Sequence, residues 1–149
     1  MKFEVRVAGL SYFKPIIICC IFRGGLWLDG VISNICADNP FHFSIHLLAD
    51  SCHFPQIGCI IFDGLQWEKF KVDLDLAFKI LKKPVIIISD HHDASLTYHE
   101  RYNYYFDFRG FSKSEVLSLL DRITIFKGVV EPVRISRLLA LNLLTTLSS

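Results

Sequence analysis

The chain has 149 residues, of which 52% are hydrophobic and 21% are charged, and its formal net charge is +1. These values are typical of one globular domain over residues 1–149, and they exclude a long disordered tail or a strongly basic chain. The longest unbroken apolar run, residues 16–22, is too short for a membrane span, so we expect no membrane partner. Five cysteines without a CxxC spacing indicate reduced thiols and a cytoplasmic protein.

The hydrophobic pattern predicts three hairpin-linked strands first, and then helices alternating with strands. Residues 63–70 are predicted to form a loop, and residues 90–102 a polar segment. The predicted strands cover residues 3–10, 16–22, 26–36, 56–62, 84–89 and 103–108. The predicted helices cover approximately residues 40–52, 73–83, 113–123 and 131–147.

Capping residues indicate where the helices begin. Asp38 or Asn39 is expected to cap the first helix. A capping box, formed by Ser112 and Glu115, precedes the third helix. The second helix has three apolar residues that we expect on its buried face: Leu76, Ile80 and Leu81.

The last predicted helix carries leucines around most of its circumference. A helix of this kind is either buried or in contact with another subunit, and it is too short to cross a bilayer. The sequence therefore leaves open whether the protein forms a homodimer.

The order of elements predicts an α/β fold with a mixed sheet. The right-handed crossover rule places the fourth strand parallel to the first or the third. Two antiparallel connections come before the first helix, which favours a three-layer ribonuclease-H-like topology over a doubly wound one. In that topology the fourth strand lies beside the first, and we expect five or six strands in the sheet.

Acidic side chains follow two of the predicted strands. Asp63 comes directly after residues 56–62, and Asp38 follows the third strand, whereas the first strand ends at Ser11. Ligands in α/β sheets bind at such strand ends. An arc of Ser11, Asp38 and Asp63, with Glu131 at the start of the last helix, therefore predicts a site for one divalent cation with oxygen ligands.

Each of these residues also has a structural interpretation. Asp63 would then form a strand-end turn, Asp38 would cap a helix, and Glu131 would supply a favourable charge at a helix N-terminus. Ser11 lacks the carboxylate that a two-metal hydrolase needs on its central strand.

Two further features bear on nucleic-acid binding. Arg134 and Arg137 lie three residues apart on the last helix, where they would clamp a phosphate or form salt bridges with neighbours. The loop at residues 90–93 follows the fifth strand and would lie at the same sheet edge as Asp63. Residues 101–149 carry seven Lys or Arg and four Asp or Glu, a mild basic bias.

Five short motifs in this order together resemble the endonuclease dU family, an archaeal family related to endonuclease V. The motifs are an arginine–glycine hairpin at residues 22–31, and the segments 60–64, 84–88, 110–112 and 131–135. The resemblance implies a ribonuclease-H-like, endonuclease V-like fold. It also implies phosphodiester cleavage next to a deaminated base in DNA, as in DNA repair, with Mg²⁺ or Mn²⁺ as cofactor.

Carried over position by position, the resemblance implies that Asp63 and Asp38 are metal ligands and that both act in catalysis with Glu131. Arg134 and Arg137 would contact DNA, or RNA. The family pattern has an acidic residue after the first strand where this chain has Ser11. The first hypothesis is therefore a metal-dependent endonuclease with impaired catalysis. The alternative is a catalytically inactive relative that binds nucleic acid or a protein.

Overall fold

The computed structural model describes residues 5–24 and 26–148, most of which lie in nine strands and four helices. Residues 3 and 4 of the predicted first strand lie outside the described residues. The strands are β1 (Arg6–Phe13), β2 (Ile16–Arg23), β3 (Trp27–Ile35), β4 (Ile57–Asp63), β5 (Gln66–Trp67), β6 (Phe70–Lys71), β7 (Val85–Ser89), β8 (Thr97–His99) and β9 (Tyr104–Arg109). The helices are α1 (Pro40–Ala49), α2 (Leu74–Leu81), α3 (Lys113–Ile123) and α4 (Glu131–Ser148).

Seven strands form one mixed sheet in the order β3-β2-β1-β4-β7-β9-β8. β1 pairs antiparallel with β2 and parallel with β4, so the predicted neighbourhood of the first and fourth strands is confirmed. The sheet exceeds the predicted five or six strands because β8 pairs with β9. β8 was not predicted because it lies in the polar segment and its exposed residues lack an apolar pattern.

The two sheet faces are covered by different helices, which gives the predicted three layers. On one face, α1 and α2 pack on side chains of β1, β2 and β4. On the other face, α3 and the start of α4 cover β4, β7 and β9, and Ala140 of α4 covers β2. Both faces of β4 are therefore buried, as its nearly continuous apolar sequence predicted.

Several element boundaries differ from the predictions. β1 continues to Phe13 because its pairing with β2 continues to the Phe13–Ile16 pair. The predicted loop at residues 63–70 contains the start of a small hairpin, β5–β6. α1 is capped by the Asn39 side chain and not by Asp38, and it ends at Ala49.

The buried face of α2 also differs from the prediction. Leu74, Ala77 and Leu81 are buried, whereas Leu76 and Ile80 are 37% and 38% exposed. The Asp73 cap sets the start of the helix, and the rotation of the helix on the sheet then decides which residues are buried. The capping box of α3 is present as predicted, with both of its hydrogen bonds.

α4 lies across the sheet with small buried residues against the strands. Val133, Ser136 and Ala140 are fully buried, whereas Leu138, Leu141 and Leu147 are 46–56% exposed. The leucines around the helix are thus divided between core and surface, and a homodimer through the exposed ones stays a prediction. None of the helices in the described part of the chain is long and apolar enough to cross a membrane.

Gly9 of β1 allows α4 to approach the sheet closely. A Cβ atom at this position would lie 2.6 Å from the carbonyl carbon and from Cβ of Pro132 in the first turn of α4. We expect Gly9→Ala to lower the free energy of unfolding by about 2–3 kcal/mol, because α4 must shift to relieve the overlap. Urea denaturation measures this loss.

Gly30 provides the matched control for this substitution. A Cβ atom there would lie 2.8 Å from the imidazole ring of His53, a side chain that can rotate away. Gly30→Ala should therefore change stability much less. Equal losses in both variants would contradict a special role for the contact between β1 and α4.

Candidate functional site

Asp63 is held firmly at the end of β4. Its backbone carbonyl accepts a hydrogen bond from the indole Nε1 of Trp67 at 2.8 Å. The amide of Gly64, the next residue, donates to the carbonyl of Ile88 at 2.7 Å. These contacts join the end of β4 to β7 and to the β5–β6 hairpin, so the direction of the Asp63 side chain is set by the sheet and the hairpin together.

Arg137 of α4 binds the Asp63 carboxylate with two hydrogen bonds. Nε donates to Oδ2 at 2.8 Å, and Nη2 donates to Oδ1 at 2.6 Å. The two side chains are largely buried, with exposed fractions of 12% for Asp63 and 26% for Arg137. Such a two-pronged pair is short, charge-assisted and geometrically specific. Both carboxylate oxygens of Asp63 are therefore engaged.

Ser11 and Ser136 complete the polar centre around Asp63. The Ser11 hydroxyl donates to Asp63 Oδ2 at 2.8 Å, and it lies 2.6 Å from the hydroxyl of Ser136. Both serines are fully buried. The Ser136 hydroxyl also donates to the backbone carbonyl of Val133 at 2.9 Å, and either hydroxyl can be the donor in the contact between the two serines. We call these four residues the Asp63 centre: Ser11, Asp63, Ser136 and Arg137.

The electrostatics of the Asp63 centre favour the charged form of Arg137. The hydrogen bonds to Asp63 raise the pKa of Arg137 above its ordinary value, against the opposing effect of burial. The negative charges of Asp63 and Asp90 act in the same direction. Arg137 therefore stays protonated, and its charge balances that of the Asp63 carboxylate.

A cavity of about 510 Å³ opens beside the Asp63 centre. The Tyr12 hydroxyl donates to the Glu68 carboxylate at its rim, and Lys14 Nζ lies 3.9 Å from the same carboxylate. Burial and this hydrogen bond raise the pKa of Tyr12. The cavity is lined by Tyr12, Phe13, Lys14, Asp63, Gln66, Trp67, Glu68, Asp90 and Arg137.

Glu131, a predicted catalytic carboxylate, forms a separate pair with Arg134. Arg134 Nε and Nη2 donate to its two carboxylate oxygens at 2.8 and 2.5 Å. These hydrogen bonds also raise the pKa of Arg134. Glu131 lies five residues before Ser136 on α4, or about 7.5 Å along the helix axis. Within the described residues, no hydrogen bond or ion pair joins Glu131 to Asp63.

Asp38 and Asp90 follow different strands of the sheet. Asp38 is exposed and follows β3, which is three strand positions from β4, or about 14 Å at the usual strand spacing. Of the predicted arc, Ser11 and Asp63 meet through a hydrogen bond, and within residues 5–24 and 26–148 no hydrogen bond or ion pair joins Asp38 to either of them. Asp90 follows β7 and lines the same cavity as Asp63, as expected for this loop.

The residues present do not fit a divalent cation in the geometry of the structure. Arg134 and Arg137 engage both oxygens of Glu131 and of Asp63, and Asp38 follows β3, three strand positions from β4. Across residues 5–24 and 26–148, no group of three His, Cys, Asp or Glu side chains is arranged to hold a metal ion. The catalytic and metal-binding roles of Asp63, Asp38 and Glu131 stay predictions.

Sequence reasoning missed Ser136, Trp67 and Glu68 as parts of this region. Ser136 could have been found from the sequence, because helical spacing places it between Val133 and Ala140 on the buried side of α4. No sequence pattern indicates Trp67 and Glu68, since they belong to a hairpin whose strands are too short to show one. Arg134 and Arg137 were considered as a phosphate clamp or as salt-bridge partners, and the structure places both in salt bridges.

Comparison with solved structures defines the class of fold. The chain is similar to human ENDOV (TM-score 0.76, 12% identity, covering 98% of this chain and 87% of that one). It is also similar to Ciona intestinalis endonuclease V in complex with a DNA containing an inosine (TM-score 0.65, 10% identity, 95% and 87% covered). The chain therefore has the ribonuclease-H-like fold of endonuclease V, as predicted.

Comparison with related sequences gives a narrower set of similar proteins than comparison of the fold. The chain is 31% identical over 97 residues to a UPF0215 protein of Methanosarcina barkeri (59% of this chain, 50% of that protein). It is 30% identical over 104 residues to a UPF0215 protein of Methanothermobacter thermautotrophicus (62% and 51%). The matched part spans about half the length of these curated relatives, which are archaeal proteins.

A protein of unknown function from Archaeoglobus fulgidus has the same fold (TM-score 0.77, 20% identity, covering 95% of this chain and 98% of that one). No family model matches the chain. The narrower resemblance to the endonuclease dU family stays a prediction.

Proposed function

We propose that this chain is a nucleic-acid-binding protein that uses the endonuclease V-like fold without metal-dependent cleavage. The observation that carries the proposal is the pair between Asp63 and Arg137, in which both carboxylate oxygens are engaged. A cation at Asp63 would have to displace a guanidinium held by two charge-assisted hydrogen bonds. Ser11 offers a hydroxyl where a second carboxylate would be required.

The cavity beside the Asp63 centre supplies contacts of the kind that nucleic acids use. Tyr12 places an aromatic ring there, and Lys14 carries a positive charge on a side chain that is 75% exposed. Lysine ammonium groups bind phosphates, and aromatic rings stack on bases. The DNA-bound Ciona intestinalis endonuclease V, with its similar fold, supports DNA or RNA as the ligand class.

Arg137 can contact a phosphate without leaving Asp63. A guanidinium has five N–H donors. Within the described part of the chain, the pair with Asp63 uses Nε and Nη2, and Nη1 is left for a phosphate oxygen. The predicted nucleic-acid contact of Arg137 is therefore compatible with its ion pair. Arg134 has the same arrangement with Glu131.

A second candidate is the predicted endonuclease on deaminated-base DNA, with Mg²⁺ or Mn²⁺ as cofactor. The observation that favours it is that Asp90 lines the same cavity as Asp63. If a substrate phosphate drew Arg137 away, the carboxylates of Asp63 and Asp90 would both face the cavity. This candidate therefore requires Arg137 to separate from Asp63 when substrate binds.

One experiment separates the two candidates. Labelled single- and double-stranded DNA and RNA, with and without uracil or hypoxanthine, are titrated with the protein by fluorescence anisotropy at several salt concentrations. The same samples are run on denaturing gels after incubation with Mg²⁺ or Mn²⁺. We expect binding that weakens as salt rises and no cleavage with either metal. Metal-dependent cleavage that is lost in Asp63→Ala would instead establish the nuclease.

Lys14→Gln tests whether the cavity is the binding surface. We expect weaker binding to all sequences. The slope of the logarithm of the binding constant against the logarithm of salt concentration should fall by about one, because one phosphate contact is removed. Lys113→Gln is the matched control, since this exposed lysine lies on α3 and is not part of the cavity lining. Equal effects of both substitutions would argue against the cavity, and absence of any binding would reject the proposed function.

A further inference from the structure

Two histidines lie side by side on the exposed face of α1, away from the Asp63 centre. His42 and His46 are exposed, and their Nε2 atoms are 3.1 Å apart. Their ring centroids are 4.6 Å apart, with the ring planes at 69° to each other. The spacing of four residues places both side chains on the same side of the helix, one turn apart.

The helix that carries these histidines is anchored at both its start and its buried face. The Asn39 side chain accepts a hydrogen bond from the His42 backbone amide, so the first turn is closed. Ile45 and Leu48 are fully buried or nearly so in the sheet core. The backbone positions of both histidines are therefore set by the fold, and only their side-chain angles remain to be adjusted.

The distance between the two ring nitrogens matches that of two ligands on one metal ion. Zinc binds imidazole nitrogen at about 2.0–2.1 Å, so two such ligands lie about 2.9 Å apart at a right angle and about 3.4 Å apart at a tetrahedral angle. The observed Nε2–Nε2 distance of 3.1 Å falls between these values. In the metal-free protein this contact is a hydrogen bond between the two rings, and an ion bound by both nitrogens would replace it after the rings turn to direct both lone pairs at the ion.

We propose that His42 and His46 form a surface binding site for one Zn²⁺ ion, with the remaining coordination positions open to water. Imidazole suits the borderline cations Zn²⁺, Ni²⁺ and Cu²⁺ and discriminates against Mg²⁺, which prefers oxygen. The spacing is that of the two histidines in helical HExxH zinc sites. Phe43 stands where that motif has its general base, so this site binds a metal without hydrolytic chemistry.

Isothermal titration of the metal-free protein with ZnCl₂ tests the proposal. We expect one ion per chain, with the affinity reduced at least tenfold in His42→Gln and in His46→Gln, because each substitution removes one of two ligands. Titration with MgCl₂ should give no binding at this site. Since both side chains are exposed, the variants should melt at the wild-type temperature in EDTA.

Two further variants serve as controls for other zinc ligands. His91→Gln removes one of two adjacent exposed histidines in the loop after β7, and it should leave the affinity unchanged. Cys52→Ser removes an exposed thiol and should also leave it unchanged. Wild-type zinc affinity in His42→Gln, or loss of zinc binding in Cys52→Ser, would overturn the proposal, as would absence of zinc binding in the wild type.

Discussion

Replacing Asp63 by alanine is expected to lower the free energy of unfolding by roughly 3 kcal/mol, because Arg137 then remains buried without its counter-charge. The loss lies at the lower end of the range for buried ion pairs, since the Arg137 side chain keeps an exposed fraction of 26%. The Ser11 hydroxyl also loses its acceptor. Urea denaturation followed by circular dichroism measures the change.

A double substitution distinguishes a lost pair from a damaged fold. Asp63→Leu combined with Arg137→Leu removes both charges together and should recover much of the stability, because no unpaired charge is left in the interior. Asp75→Ala is the matched surface control, since Asp75 pairs with Arg109 but its side chain is 79% exposed. Wild-type stability in Asp63→Ala would show that the pair with Arg137 does not hold α4 on the sheet.

Replacing Ser11 by aspartate and Arg137 by glutamine together is expected to create a metal site. The change places two carboxylates on neighbouring strands, about 4.8 Å apart, and removes the guanidinium that neutralises Asp63. In EDTA the variant should be less stable than the wild type, because two buried carboxylates repel each other. At a Mn²⁺ concentration 100 times its dissociation constant, binding should restore about 2.7 kcal/mol, or roughly 8 °C in the melting temperature.

The single substitutions are the controls for this design. Ser11→Asp alone should respond weakly to Mn²⁺, because Arg137 remains beside Asp63 and competes with the cation. Arg137→Gln alone has one carboxylate at the sheet edge and should also respond weakly. A wild-type protein that is stabilised by Mn²⁺ as much as the double variant would show that Arg137 does not exclude a metal from Asp63.

Features with a local physical cause were predicted well from the sequence. The apolar runs at residues 16–22 and 56–62 became the buried strands β2 and β4 because continuous apolar sequence is stable only with both faces covered. The capping box at Ser112 determined the start of α3. The crossover rule allowed β4 to be parallel to β1 or β3, and the predicted ribonuclease-H-like topology placed it beside β1. This pairing brought Ser11 beside Asp63.

The partners of the charged residues could not be predicted in the same way. Arg137 lies 74 residues from Asp63, and nothing in the intervening sequence indicates that the two meet. Arg134, one helical turn earlier on α4, pairs instead with Glu131. Which arginine faces which carboxylate depends on the position and rotation of α4 on the sheet, to which the close contact at Gly9 contributes.

The sequence by itself therefore determined the α/β class, the central pairing of the sheet and the position of a carboxylate at the end of β4. Periodicity, helix caps and crossover handedness are short-range or topological rules, and they act on segments one at a time. Only the tertiary structure decided that the Asp63 carboxylate is neutralised by Arg137 and accepts a hydrogen bond from Ser11. That outcome depends on how α4 packs over three strands. Many contacts between residues distant in sequence together set this packing.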